Sequence, residues 1–317
     1  MIWNGWDKKH NYTWAFLISR KSQKHHPAFT SLSRNKEKFQ QAKVSLGSAT
    51  KDSTSAASSF SASETFLVPS IEKKNKLDLR LVLIDNYDSY TYNLYSYFAT
   101  ICQSPPIVIT NNLDASVYQS ILSEADGIII SPGPGSPTVE SDMGICLDVI
   151  RQYSKKPILG VCLGHQAIGH FYGAKVQRTK SGPVHGRLSN VQYNTIQQKQ
   201  QDHHFLFQGL PQNFPVTRYH SLEVIFPEPS KTSEVESIAW CHADQTNEVV
   251  CMALQHKEFP HFGVQFHPES IATGSHGYRL LQNFCQYCLE YQKNPKPNNG
   301  QTFKKESHFS YKYNEMI

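Results

Sequence analysis

The sequence predicts an α/β fold, in which a doubly wound, mostly parallel sheet is flanked by helices and extended by strands in mixed or antiparallel orientation. Short, continuous apolar runs alternate with stretches of helical periodicity in the first half of the region 80–291; the runs lie at 81–84, 107–109, 127–130 and 158–161. Such runs are typical of strands buried on both faces, and strands that alternate with helices form parallel sheets. Beyond Tyr172, strand-like segments follow one another across turns, which predicts the mixed part of the sheet.

The spacing of apolar residues places each element. Leu94, Phe98 and Ile101 recur at helical spacing after the first strand, and Asp88 or Ser89 is the expected N-cap of that helix. Two further helices are predicted at 143–150 and 278–288 by the same spacing. The later strands are predicted at 174–178, 217–226, 237–240, 249–255 and 262–266.

Both ends of the chain differ in composition from the region 80–291. Residues 1–76 are rich in Ser, Thr and Lys and poor in acidic residues, which predicts a disordered leader. This composition is typical of an organellar transit peptide, and the excess of hydroxylated residues over Arg favours a plastid. The alternative is a dispensable tail on a cytoplasmic protein. Residues 292–317 predict a disordered tail or a truncated linker.

Several classes of protein are disfavoured by charge and hydropathy. The first 52 residues hold ten lysines and arginines against three acidic residues, so the leader accounts for the net charge of +5 and no nucleic-acid partner is predicted. No apolar run approaches the roughly 18 residues that span a bilayer, so no membrane partner is predicted. The seven cysteines lack paired metal-ligand spacing, which predicts free thiols and no metal site.

Cys162 is the candidate nucleophile. The segment Gly160–Val161–Cys162–Leu163–Gly164 directly follows a predicted strand and opens a helix, which is the pattern of a nucleophile elbow. The turn is sharp, so small neighbours are required, and the positive end of the helix dipole favours a thiolate. The alternative for this motif alone is a buried cysteine between two packing glycines.

Two other segments follow predicted strands and complete a catalytic set. Ser131–Pro132–Gly133–Pro134–Gly135–Ser136–Pro137 holds the main chain open, with N–H groups available as oxyanion donors; the alternative is an ordinary proline-rich turn. His267 ends another strand and can accept the thiol proton, and Glu269 can orient its ring. Because ligands bind beyond the carboxyl ends of parallel strands, these groups are expected to meet at one edge of the sheet.

Together these segments resemble the class I glutamine amidotransferase family over about two-thirds of the chain. Two further motifs resemble the branch that serves chorismate-using enzymes: Asp85–Asn86–Tyr87–Asp88–Ser89–Tyr90–Thr91 and Arg218–Tyr219–His220–Ser221–Leu222. Val184–His185–Gly186–Arg187–Leu188–Ser189 and Gly144–Ile145–Cys146–Leu147 are most similar to eukaryotic, particularly plant, aminodeoxychorismate synthases.

The resemblance implies specific roles. Cys162 would attack the carboxamide of L-glutamine to give a thioester and ammonia, with His267 as acid and base and Glu269 as its partner. The N–H groups of Gly135 and Leu163 would form the oxyanion hole. The residues that would bind glutamine are Gly133, Pro134, Gly135, Gln166, Ser221 and Leu222.

The resemblance also implies a partner. Ammonia would pass to a chorismate-binding synthase component, either a separate chain or a missing fused domain, in the route to p-aminobenzoate and folate. The glutaminase half would need no cofactor, and Mg²⁺ is expected only in the synthase partner. The alternatives are the glutamine amidotransferase component of anthranilate synthase (tryptophan biosynthesis), a non-catalytic regulatory homologue and a stand-alone γ-glutamyl hydrolase.

Overall fold

A computed structural model describes residues 76–194, 204–226, 233–243 and 248–294. The predicted leader, except its last residue, and the tail beyond residue 294 lie outside the described residues. Within the described ranges, no helix combines the length and apolar character that a bilayer span requires.

Eleven strands and six α-helices make up the described fold. The strands are β1 (Leu81–Asp85), β2 (Ile107–Thr110), β3 (Gly127–Ile130), β4 (Ile158–Val161), β5 (Lys175–Arg178), β6 (Val184–Tyr193), β7 (Phe214–His220), β8 (Leu222–Ile225), β9 (Val235–His242), β10 (Val249–His256) and β11 (His261–Val264). The helices are α1 (Thr91–Ile101), α2 (Ala115–Ser123), α3 (Glu140–Met143), α4 (Cys146–Gln152), α5 (Leu163–Phe171) and α6 (Gly274–Lys293).

Nine of the strands form one mixed sheet in the order β2-β1-β3-β4-β11-β10-β9-β6-β7. The pairs from β2 through β11 are parallel, whereas β10, β9, β6 and β7 join through antiparallel pairs. Strands β5 and β8 form a separate antiparallel pair. The predicted fold class is confirmed.

Two apolar cores lie on the two faces of the sheet. Alternate residues of β1 divide between them, so that Leu81 and Leu83 belong to one core and Val82 and Ile84 to the other. This division follows from the two-residue period of a strand, and it explains why β1 is apolar throughout. Helices α1 and α6 cover the first core, and α2, α4 and α5 cover the second.

Three local predictions were wrong in detail. The segment predicted as one helix at 143–150 is divided into α3 and α4 at Gly144, where φ is +48° and a side chain would collide with the Asn111 carbonyl. The segment predicted as one strand at 217–226 is divided into β7 and β8, which lie in different sheets. Strand β6 was not predicted, because most of its first half is exposed and lacks apolar alternation.

The start of α1 also differs from the prediction. Its N-cap is Tyr90, and its side chain makes no capping hydrogen bond. Asp88 instead closes the preceding turn, since its Oδ1 accepts the Tyr90 N–H at 2.7 Å. The turn is therefore stabilised by the residue type expected at a cap, but two residues before the N-cap.

Candidate active site

Cys162 lies in the sharp turn between β4 and α5. Its φ is +51°, a conformation that is strained for a side chain of any size. A Cβ at Gly160 would collide with the backbone of Gly164, and a Cβ at Gly164 would collide with the Ile130 carbonyl. The turn has the geometry that the nucleophile-elbow pattern predicts, and both glycines are required by the close approach of the main chain.

The Cys162 side chain has two polar neighbours from other strands. Its Sγ lies 3.5 Å from the Tyr219 carbonyl oxygen, to which the thiol donates, and it accepts from the Gln265 side-chain amide at 3.7 Å. The Cys162 N–H donates to the Val264 carbonyl at 2.8 Å, which fixes the turn against the end of β11. The thiol is thereby held at the edge of the sheet where β4, β7 and β11 end.

His267 and Glu269 form a buried pair beside this thiol. The His267 Nδ1 lies 2.6 Å from the Glu269 Oε1, and the two side chains are 3% and 0% exposed. Burial lowers the pKa of His267, but hydrogen bonds with Cys162 and Glu269 outweigh it and hold that pKa well above its ordinary value. Burial also raises the pKa of Glu269, and the bond to His267 opposes this rise.

The His267 ring has one nitrogen left for chemistry. The backbone of His267 is fixed on both sides. Its main-chain N–H donates to the Thr217 carbonyl at 3.0 Å, and its main-chain carbonyl accepts from the Thr273 hydroxyl at 2.8 Å. With Nδ1 engaged by Glu269, Nε2 makes no hydrogen bond of ordinary geometry in the described part of the chain. The Cys162 side chain is among the groups that raise the pKa of this ring, so the thiol and the imidazole lie near each other.

The proline–glycine loop packs against the start of α5. Gly133 has no room for a side chain, since a Cβ would lie 2.5 Å from the Asn86 Cβ and 2.8 Å from Leu163 Cδ2. Gly135 has a φ of +97°, and its position is closed to larger residues by the carboxylate of Asp142. Within the described ranges the N–H groups of Gly135 and Leu163 donate no hydrogen bond, so both are available to a ligand.

The predicted glutamine-binding residues fall into two groups. Gln166 is buried, and its Nε2 donates to the Leu222 carbonyl at 3.2 Å and to the Gln265 Oε1 at 3.1 Å. Ser221 is exposed beside Leu222, while Pro134 is exposed in the proline–glycine loop. The structure joins Gln166 to the 221–222 segment through the Leu222 carbonyl.

A sequence profile described as glutamine amidotransferase class-I matches residues 82–287. The chain belongs to this family. It is 36% identical over 279 residues to the chloroplastic aminodeoxychorismate synthase of Arabidopsis thaliana, a match that spans 71% of this chain and 29% of the relative. It is 44% identical over 209 residues to anthranilate synthase component 2 of Saccharolobus solfataricus, which spans 66% of this chain and 98% of the relative.

A solved structure supports the same fold. The crystal structure of a Thermoplasma acidophilum protein, described as part of a GMP synthase, superposes with a TM-score of 0.55 at 24% identity, covering 68% of this chain and 96% of the other. At that identity the similarity concerns the fold alone.

Near the amidotransferase site lie side chains to which the sequence assigned no catalytic or binding role. The rings of Tyr90 and Tyr219 lie 5.3 Å and 5.8 Å from the His267 ring. Burial raises the pKa of Asp88, and the hydrogen bond from the Tyr90 N–H and the positive charge of His267 oppose the rise, so this carboxyl group lies within electrostatic reach of His267. Asp88, Tyr90 and Tyr219 all lie in motifs that carry the family resemblance. Membership of these motifs was the sequence signal that could have placed the three residues near the site.

His165 and the cysteines other than Cys162 are buried residues. His165 is buried against Gly263, and burial lowers its pKa to about 4. The other six cysteines are buried and form no disulfide bonds, as expected for core residues. The described residues contain no group of three or more His, Cys, Asp or Glu that could hold a metal ion.

Gly164→Ala is expected to destabilise the amidotransferase by about 3 kcal/mol, because the new methyl group would collide with backbone that cannot move without shifting β3. Gly169→Ala in the same helix is the matched control. Its methyl group would lie 3.0 Å from a side-chain methyl of Val224 rather than against backbone, so we expect a cost of at most about 1 kcal/mol. Urea denaturation compares the free energies of unfolding, and equal losses would contradict the close packing inferred at the elbow.

Proposed function

We propose that the chain is the glutaminase component of an aminodeoxychorismate synthase. It would hydrolyse L-glutamine and deliver ammonia to a chorismate-binding synthase component, which would make aminodeoxychorismate on the route to p-aminobenzoate and folate. The observation that carries the hydrolytic part is the buried His267–Glu269 pair beside the Cys162 thiol at the elbow. Support for the pathway comes from the similarity to chloroplastic aminodeoxychorismate synthase.

In the first step, Cys162 transfers its proton to His267 Nε2, and its sulfur attacks the carboxamide carbon of glutamine. The hydrogen bond from Nδ1 to Glu269 leaves Nε2 as the basic nitrogen and stabilises the imidazolium that forms. The negative charge on the former carbonyl oxygen would be bound by the N–H groups of Gly135 and Leu163.

In the second step, the tetrahedral intermediate collapses. The C–N bond breaks, and His267 returns its proton to the departing nitrogen. Ammonia is released, and a γ-glutamyl thioester remains on Cys162. Water then gives a proton to His267 and attacks the thioester, which releases glutamate and regenerates the thiol. No cofactor enters these steps; Mg²⁺ would act only in the synthase partner.

Anthranilate synthase is the second candidate pathway, because a relative named as its component 2 is 44% identical and almost wholly covered by the match. The chemistry of the glutaminase half is the same for both products. The choice therefore depends on the partner rather than on Cys162 or His267.

Coupling the purified chain to each synthase component tests the pathway. With glutamine and chorismate as substrates, the aminodeoxychorismate-forming component is expected to give product, and the anthranilate-forming component is expected to give little. Product only with the latter would contradict the folate assignment. Fast glutamine turnover without any partner would instead indicate a stand-alone γ-glutamyl hydrolase, and a complete lack of turnover with both partners would indicate a non-catalytic homologue.

We further propose that residues 1–76 direct the chain to the plastid stroma. The proposal is supported by their basic, hydroxylated composition and by the chloroplastic relative in Arabidopsis. A fluorescent protein fused after residue 76 is expected to accumulate in plastids, and cytoplasmic fluorescence would contradict the assignment.

A further inference from the structure

Arg218 is a buried cation without an acidic partner. This residue on β7 is 2% exposed, and none of the ion pairs among the described residues includes it. Nε donates to the His220 Nε2 at 3.0 Å and Nη1 donates to the Ser189 hydroxyl at 3.3 Å, while Nη2 has no partner in the described ranges. An uncompensated buried charge is costly, so the groups that Arg218 bonds are expected to account for its presence.

The bond from Arg218 fixes the protonation of His220. A guanidinium group can only donate, so the His220 Nε2 must accept and the ring proton must lie on Nδ1. That Nδ1–H then donates to the Leu222 carbonyl at 2.9 Å. Burial and the positive charge of Arg218 lower the pKa of His220 to about 3, so the ring is neutral at physiological pH.

The Leu222 carbonyl is the point where this chain of bonds reaches the active site. This carbonyl accepts hydrogen bonds from His220 and from the side chain of Gln166. The Gln166 side chain also donates to Gln265. The amide of Gln265 in turn contacts the Cys162 sulfur. The preceding carbonyl, that of Ser221, accepts the Thr179 N–H at 3.0 Å. The backbone of the 221–222 segment is thus fixed at both carbonyls.

We propose that Arg218 and His220 are positioning residues that set the affinity for glutamine, an inference that rests on the proposed glutaminase function. Neither contacts the reacting atoms. Arg218 holds His220 in the Nδ1–H tautomer, and His220 orients the Leu222 carbonyl, which aligns the 221–222 segment and Gln166 for the substrate. Loss of either residue therefore weakens glutamine binding while leaving the nucleophile intact.

Nitrogen NMR of the full chain, labelled with ¹⁵N-histidine, tests the tautomer. His220, assigned by the signal lost in His220→Ala, is expected to be neutral and protonated at Nδ1 in the wild-type protein. In Arg218→Met the Leu222 carbonyl still accepts the Nδ1 proton, so we expect the Nδ1–H form to persist, whereas loss of the neighbouring guanidinium charge should raise the pKa of the ring. A wild-type ring that is charged, or protonated at Nε2, at neutral pH would overturn the proposal.

Steady-state kinetics test whether loss of His220 weakens glutamine binding. His220→Ala is expected to raise the KM for glutamine roughly tenfold through the lost hydrogen bond, with kcat nearly unchanged. The same variant should slow labelling by a diazoketone analogue of glutamine at low concentration but not alkylation of Cys162 by iodoacetamide, which needs no binding site. Arg187→Met, at an exposed arginine paired with Arg218 in the sheet, is the matched control and should change neither.

The outcomes distinguish failure of the positioning role from failure of the proposed glutaminase function. An unchanged KM in His220→Ala, with an active wild-type protein, would overturn the positioning role alone. A wild-type chain that neither hydrolyses glutamine with a synthase partner nor reacts with the analogue would overturn the proposed function as well. Should Arg218→Met fail to fold, the His220→Ala kinetics and the wild-type tautomer still decide the question.

Discussion

Replacing Cys162 with serine is expected to lower glutamine-dependent product formation by roughly 10³-fold or more, because a hydroxyl group at the elbow is a far weaker nucleophile than a thiolate. Ammonia-dependent synthesis by the chorismate-binding partner should be unchanged, since external ammonia bypasses the thioester. Parallel assays of the coupled proteins with glutamine and with ammonium salts measure the two routes separately.

Cys251→Ser is the matched control for this loss. Cys251 is buried and donates to the Ala253 carbonyl at 3.3 Å, a bond that a serine hydroxyl can also make, and it lies in β10 rather than at the elbow. The Cys251→Ser protein should retain most of the glutamine-dependent activity of the wild-type protein. Near-normal glutamine hydrolysis by Cys162→Ser would show that the nucleophile has been misassigned.

The second large effect is expected from Glu269→Gln, which should lower glutamine hydrolysis roughly 10²- to 10⁴-fold. The amide is similar in shape to the carboxylate, but its NH₂ group can donate to His267 Nδ1. The ring proton would then move to Nε2, the nitrogen that must accept the thiol proton. Fold and substrate contacts should persist, so the loss should appear in kcat rather than in KM.

The pH dependence of Cys162 alkylation should change in the same variant. Burial lowers the pKa of His267, whereas its bonds to Cys162 and Glu269 raise it by more, so removal of the carboxylate charge should lower this pKa. The imidazolium would then be lost at a lower pH than in the wild-type protein. Glu258→Gln, at an exposed acidic residue, is the control, and identical pH profiles in all three proteins would contradict the proposed coupling.

The sequence predicted the strands of the parallel half to within two residues at each end, although it missed α2 and joined α3 to α4. Strands β1, β3 and β4 are continuous apolar runs because both of their faces are buried, and this signal is local. The antiparallel half was predicted less well. The burial of β6 depends on β7 and β9, which lie elsewhere in the chain, and its own alternation is weak.

The same distinction holds for the site. Cys162, His267 and Glu269 could be predicted because each lies in or near a loop that follows an apolar strand. The contacts that orient them could not, since Gln166 and Gln265 are 99 positions apart and meet only in the folded chain. Arg218 and His220 lie in a motif that the resemblance identified, but their tautomeric coupling depends on distances between side chains.

Trapping the acyl intermediate tests the proposed chemistry most directly. The chain would be mixed with glutamine and the synthase partner that supports turnover, quenched in acid during the steady state, digested and analysed by mass spectrometry. A γ-glutamyl group on the peptide that contains Cys162, and its absence in Cys162→Ser, is the predicted result. An acyl group on another residue, or steady glutamine hydrolysis with no acyl-enzyme at Cys162, would contradict the assignment of the nucleophile and its His267 base.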